Sequence, residues 1–191
     1  EIFMARLGKK LFIEQLTFTE KGGNILPSLS GDGTHVAFAS DRDLDANRDN
    51  SDQNMEIFVL DLASGVFTQV SGTPPGVIND EPDVNADGTR IAYTSDGELV
   101  LAEVAPGGQI ARFDIPNPTG GANRQPDISA DGTRIAFLSG PDIPSEEIYL
   151  AEVSAGGTIT DPVALTDMPD EIKDEPVGIA DVMTIPFVAD R

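Results

Sequence analysis

Nearly continuous apolar pentapeptides recur along the chain, VAFAS at Val36–Ser40, IAYTS at Ile91–Ser95, IAFLS at Ile135–Ser139 and IPFVA at Ile185–Ala189. Runs of that length without polar alternation suit a β-strand covered on both faces. An Asp-Gly turn precedes the first three, within GDGTHVAF from Gly31, ADGTRIAY from Ala86 and ADGTRIAF from Ala130, and a degenerate fourth copy reads ADVMTIPF from Ala180. Glycine accepts positive φ there and Asp bonds its own downstream backbone, so each turn joins two strands. A third segment follows in every copy: EIFVLDL from Glu56, ELVLAEV from Glu98, EIYLAEV from Glu147, and EIFMARL from Glu1. A fourth, more polar one comes next, FTQVS at Phe67–Ser71, IARFD at Ile110–Asp114, PVALT at Pro162–Thr166 and IEQLT at Ile13–Thr17.

A proline stands five residues before each Asp, and these prolines, Pro27, Pro82, Pro126 and Pro176, are 55, 44 and 50 residues apart. Four short strands in a period of that size predict the blades of a β-propeller; no segment carries the helix period that other repeat arrays need. The pattern Pro-x-x-Ser/Asn-x-Asp-Gly-Thr-x-Ile-Ala-Phe, a turn, Glu-Ile-Tyr/Phe and a closing Leu-Thr resembles the TolB-type propeller repeat, a relative of the WD repeat. The resemblance spans essentially the whole chain. It implies an all-β propeller and the role of an interaction module, since that family serves periplasmic, surface and enzyme-associated proteins alike.

The copies divide one domain into a half blade at Glu1–Glu20, blades at Lys21–Ser71, Glu81–Asp114 and Gln125–Thr166, and a second half blade at Glu175–Arg191. Gly72–Asp80 and Ile115–Arg124 read as Gly/Pro-rich connectors, and 167–174 as an acidic link. The two halves are complementary, and the expectation is about four blades, three complete and one assembled by pairing Glu1–Thr17 with Pro176–Ala189. Pairing within one chain closes a four-bladed ring and is favoured by local concentration; pairing between chains gives a homo-oligomer through blade completion.

Composition narrows the partners. With 33 acidic against 12 basic residues the chain carries a formal charge of −21, which repels nucleic acid and anionic membrane and attracts cations. An acidic surface with four lysines fits an extracellular, cell-surface, periplasmic or high-salt setting. Cysteine is absent, so thiolate sites and disulfides are excluded. No apolar run approaches the roughly 18 residues of a membrane span.

One constellation rises above background. From Asp45 to Glu56, oxygen donors fall at positions 1, 3, 5, 7, 9 and 12 of a 12-residue stretch, namely Asp45, Asn47, Asp49, Ser51, Gln53 and Glu56. That is calcium-loop spacing, resembling an EF-hand loop without its helices, and it departs from it at Asn50 and Asp52. The expectation is Ca2+ held by Asp45, Asn47, Asp49, Ser51 and Glu56, with Asp43 or Asp52 in reserve; the alternative is a solvated acidic loop at a blade edge. His35, the only histidine, stands where Arg90 and Arg134 stand in the other copies and reads as a replaceable strand residue. The Asp-Gly carboxylates read as turn chemistry, and Tyr93, Tyr149, Arg112 and Arg124 carry no ligand signal above background. No nucleophile-elbow motif is present. The leading expectation is therefore a non-enzymatic, calcium-stabilised binding or scaffolding module for a protein or glycan. The alternatives are the propeller portion of a larger hydrolase or lyase, and a self-assembling structural protein.

Overall fold

The structure is a computed structural model that describes residues 1–8, 10–142 and 145–166. Every segment read as a strand within that range pairs with its neighbours in the expected order. The first full blade is a four-stranded antiparallel sheet, and the half blade before it joins β1 (Phe3–Leu7) to β2 (Leu11–Gln15). Within that first blade the strands are β3 (Asn24–Leu29), β4 (His35–Ser40), β5 (Glu56–Asp61) and β6 (Val66–Gln69). The second comprises β7 (Asn79–Val84), β8 (Arg90–Ser95), β9 (Glu98–Ala105) and β10 (Gln109–Asp114). The third comprises β11 (Ala122–Ile128), β12 (Arg134–Gly140), β13 (Glu147–Glu152) and β14 (Val163–Ala164). These are three complete propeller blades and one half, and the described sheets form an open series. The expected partner of the half blade, Pro176–Ala189, lies outside the described residues.

The first strands begin earlier than composition suggests. Asn79–Asp80 and Ala122–Arg124, read above as connector, belong to β7 and β11, because their polar side chains conceal ordinary ladder pairing. Each first strand also contains its proline, which lacks an N–H to give the ladder and therefore sits at a bulge. The register shifts between Ile25 and Ser28, Asp80 and Asp83, and Arg124 and Asp127. The residue before each proline absorbs the extra length with left-handed backbone, at φ 52° for Leu26, 49° for Glu81 and 50° for Gln125.

Period-2 alternation sends the two faces of a blade to different neighbours. Ile91, Tyr93, Val100 and Ala102 pack with Ala37, Ala39, Ile57 and Val59 of the first blade. The alternate residues Ala92, Leu99 and Leu101 pack with Ile128, Ile135, Phe137 and Ala151 of the third. The second strands are covered on both faces, as their apolar runs require.

Polar latches fix how the packed sheets sit on one another. Glu56, buried at the head of β5, accepts hydrogen bonds at Oε1 from Asn54 (3.3 Å), the Thr73 N–H (2.8 Å) and the Thr73 hydroxyl (2.9 Å). At Oε2 it accepts from Ser71 Oγ and from Asn79 Nδ2 (3.1 Å) in the next blade. The half blade repeats the device at an exposed Glu1, without a counterpart of Asn54. Glu1 accepts from Thr17 Oγ1 (2.5 Å), the N–H (2.7 Å) and hydroxyl (3.0 Å) of Thr19, and Asn24 Nδ2 (3.3 Å). These bonds, that from Thr17 first, hold its carboxyl below the usual range. In the second blade the linker residue Asn117 donates to Glu98 at 3.2 Å, and in the third Thr166 donates to Glu147.

Along the first strands, Asp83 ties three blades together. It accepts the Ser28 hydroxyl at 2.7 Å from one side and the Ile128 N–H at 2.8 Å from the other, and burial raises its carboxyl above the usual value. The Asp-Gly turns behave oppositely. Thr34, Thr89 and Thr133 each give an N–H and a hydroxyl to the turn Asp two residues earlier. The Thr hydroxyls are the main cause that lowers Asp32 and Asp87; Ser129 and then Thr133 pull Asp131 down to about 2. The turn glycines also allow close approach. A Cβ on Gly88 (φ 76°) would meet the His35 ring at 2.4 Å, and one on Gly132 (φ 70°) would meet the Arg90 side chain at 2.7 Å.

Two outcomes are expected. Glu56→Ala strands four buried or half-buried partners and should lower the urea-unfolding free energy by about 3 kcal/mol or more, whereas Glu98→Ala, which removes an exposed carboxylate with one partner, should cost less than about 1 kcal/mol; equal costs would remove the latch as the explanation. The lowered turn carboxylates contribute stability that is present above the ordinary value of 3.8 and lost as pH falls through their folded values. Asp83, raised, contributes in the opposite sense. Unfolding measured from pH 5 to pH 2 should lose stability on the acid side, and the triple variant Asp32→Asn, Asp87→Asn, Asp131→Asn should flatten that limb.

Candidate functional site

The acidic loop between β4 and β5 folds as a series of Asx turns. Asp45 Oδ1 accepts the Asn47 N–H at 2.8 Å, Asp49 Oδ1 the Ser51 N–H at 3.0 Å, and Asp52 Oδ1 the Asn54 N–H at 3.4 Å. A carboxylate that bonds the amide two residues on generates the alternate spacing of oxygen donors seen in the sequence, with positions 1 and 5 as turn aspartates and 3 and 7 as their N–H partners. Buried Asn50 props the loop from inside, donating to the carbonyls of Arg42 (3.2 Å) and Asn54 (3.0 Å). Asp45 is buried as well; its Oδ2 accepts the Gln69 N–H of β6 at 2.9 Å and faces Arg48 Nε at 3.9 Å.

The five residues expected to ligate calcium divide between two cavities. Asp49, Ser51 and Glu56 line one of about 390 Å3, together with Asp52. Asp45 and Asn47 line another, of about 580 Å3, together with His35. Glu56, expected as a calcium ligand, already accepts five hydrogen bonds. Asp43 Oδ1 accepts the Asn50 N–H at 3.4 Å. Among the described residues, no three His, Cys, Asp or Glu side chains converge as a group able to hold a metal.

The other single residues are also occupied. His35 Nδ1 meets Thr34 Oγ1 at 2.7 Å and its ring lies on Gly88 of the second blade. Tyr93 is buried in the interface between the first two blades, and burial pushes its hydroxyl up to about 12. Arg112 donates to the Val70 carbonyl at 2.9 Å, and Arg124 pairs with buried Glu146. Tyr149 stacks on Phe137. What the sequence reading passed over is the latch. Its signals are visible in the repeat frame: a Glu opens every third strand, at 1, 56, 98 and 147, and an Asn stands three residues before three of the four prolines, at 24, 79 and 123.

No protein-family model matches the sequence, and no curated protein matches it. Solved structures do. A putative TolB from Agrobacterium tumefaciens aligns with a TM-score of 0.54 and 23% identity over 80% of this chain and 52% of its own. TolB from Acinetobacter baumannii aligns at 0.51 and 22%, over 85% of this chain and 37% of its own. A prolyl endopeptidase aligns at 0.57 and 14%, over 88% of this chain and 26% of its own. The chain thus spans about half of the first of these structures and less of the others. At such identities the likeness establishes the fold, and the chain is a series of β-propeller blades of the kind found in TolB.

Proposed function

We propose that the chain is a non-enzymatic binding and scaffolding module, exported or displayed at the cell surface, that meets a protein or glycan ligand with a blade face. The observation that carries this reading is the commitment of its titratable groups to architecture. His35 seats one blade on the next, Glu56 saturates a latch, and the Asp-Gly carboxylates are held ionised by their own turns, which unfits them as general acids. The acidic composition with four lysines supports the exported setting. A second reading, the propeller portion of a larger hydrolase or lyase, is favoured by the likeness to a prolyl endopeptidase.

Turnover separates the two. The chain incubated with ester, peptide and glycan substrates should give none above the uncatalysed rate; turnover that disappears in His35→Ala would overturn the module reading.

Calcium stabilisation belongs to the same proposal, with Asp49 and Ser51, which share a cavity with Asp52 and lie outside the latch, as ligands. Six carboxylates and two arginines lie between Asp41 and Glu56, and an ion relieves that repulsion in exchange for Asx-turn hydrogen bonds. Binding to the folded state adds about 2.7 kcal/mol at a hundredfold excess over Kd. A chelator should therefore lower the melting temperature, and Asp49→Ala should abolish the response. An unchanged melt would leave the loop as an Asx-turn structure that needs no ion.

A further inference from the structure

His35 and Arg90 hold the same position in consecutive blades, and each faces an acid across its sheet, Asp61 for His35 and Glu103 for Arg90. Arg90 extends from the second blade into the third. Its Nη1 donates to the Gly132 carbonyl at 2.8 Å, and its Nη2 donates to Glu103 Oε1 at 2.6 Å and to the Ser154 carbonyl at 3.1 Å. One guanidinium therefore joins the carboxylate of its own blade to two backbone carbonyls of the next.

One interface earlier, a related frame stands without the arginine, its acid the shorter Asp61, whose Oδ1 accepts the Ala63 N–H at 2.8 Å and the Ser64 N–H at 3.3 Å. By the repeat, Asp61 corresponds to Glu103, Gly88 to Gly132, and Ala105 to Ser154, each two residues past the acid that ends the blade's third-strand motif. These three and His35 line a single cavity of about 580 Å3 between the first and second blades. The shorter imidazole ends on Gly88 and leaves unfilled the reach that Arg90 covers. Asp87 and buried Asp45 bring the carboxylates of the wall to three, and Arg48, the cation there, is turned onto Asp45.

We propose that this groove binds an alkyl guanidinium group, the side chain of an arginine presented by a partner protein. The inference rests on the binding-module reading and names the chemistry of its ligand. The chain's own Arg90 shows what this set of groups receives at the next interface. A planar fork of N–H donors matches a carboxylate and two carbonyls better than an ammonium does, because it bonds several acceptors in fixed directions at once. The surrounding charge of −21 draws such a cation in.

The test is a 15N-resolved NMR titration of the whole chain with N-acetyl-arginine methylamide, against the neutral citrulline compound. Saturable shifts at His35, Gly88 and Ala105 are expected with arginine only. Asp61→Asn should weaken binding about tenfold, the scale of one charge-assisted hydrogen bond. His35→Arg, which supplies an internal guanidinium as Arg90 does, should abolish the shifts while the rest of the spectrum stays folded. A ten-residue glycine-arginine peptide should bind more tightly than the amide. Absence of saturable shifts, equal response to citrulline, or undiminished binding by His35→Arg would overturn the site; peptide and amide binding equally would overturn the protein source. A chain that turns over substrate yet binds the amide would lose the module reading and keep this site.

Discussion

A buried carboxylate that bonds two blades at once is the interaction on which this architecture turns. Apolar faces such as Ile91 and Tyr93 against Ile57 and Val59 supply the driving force for stacking, but hydrophobic contact is non-directional and tolerates sliding. Glu56 is directional. It gathers Ser71 and Thr73 from the exit of its own blade and Asn79 from the entry of the next. A network of that kind is costly when half satisfied, so it is formed in one blade orientation. Glu1 with Thr17, Thr19 and Asn24 applies the same solution one interface earlier, and so fixes the half blade as part of the same series.

Blade order, the two covered inner strands and the turns were legible in the sequence because each rests on local chemistry repeated three times. Asp-Gly-Thr followed by Ile-Ala-Phe specifies its own turn and strand wherever it occurs. The first strands were less legible. Asn79–Asp80 and Ala122–Arg124 look like linker because their side chains are polar, and what makes them strand is pairing with β8 and β12 across a bulge. The latch was hidden for a related reason: Asn79 and Glu56 are 23 residues apart and meet only once two sheets are stacked.

The acidic loop shows how one spacing serves two chemistries. Metal loops place oxygens at alternate positions so that they point inward; Asx turns place them at alternate positions because a carboxylate reaches the amide two residues on. Residues 45 to 56 satisfy both descriptions. The repeat frame separates the parts, since Glu56 has a counterpart in Glu98, which follows the two-residue Asp96-Gly97 turn and no acidic loop. Its place at position 12 is thus accounted for by the blade, and only the aspartates upstream are particular to this loop.

Repetition also supplies an internal control for locating function. What all blades share, the turn Asp, the bulged proline and the opening Glu, is explained by stability, since any array of such sheets needs it. What one blade alone carries needs another cause. Both departures fall at the same place: the long loop over β6 and the histidine in the arginine position border a single cavity between the first and second blades. An array selected only for stability would place an arginine at 35 as it does at 90, where one side chain makes three hydrogen bonds. Forgoing them at one interface while keeping Asp61 and Gly88 in position is the asymmetry on which the proposed guanidinium site rests, and it sets this interface apart from the next more than the charge of the surface does.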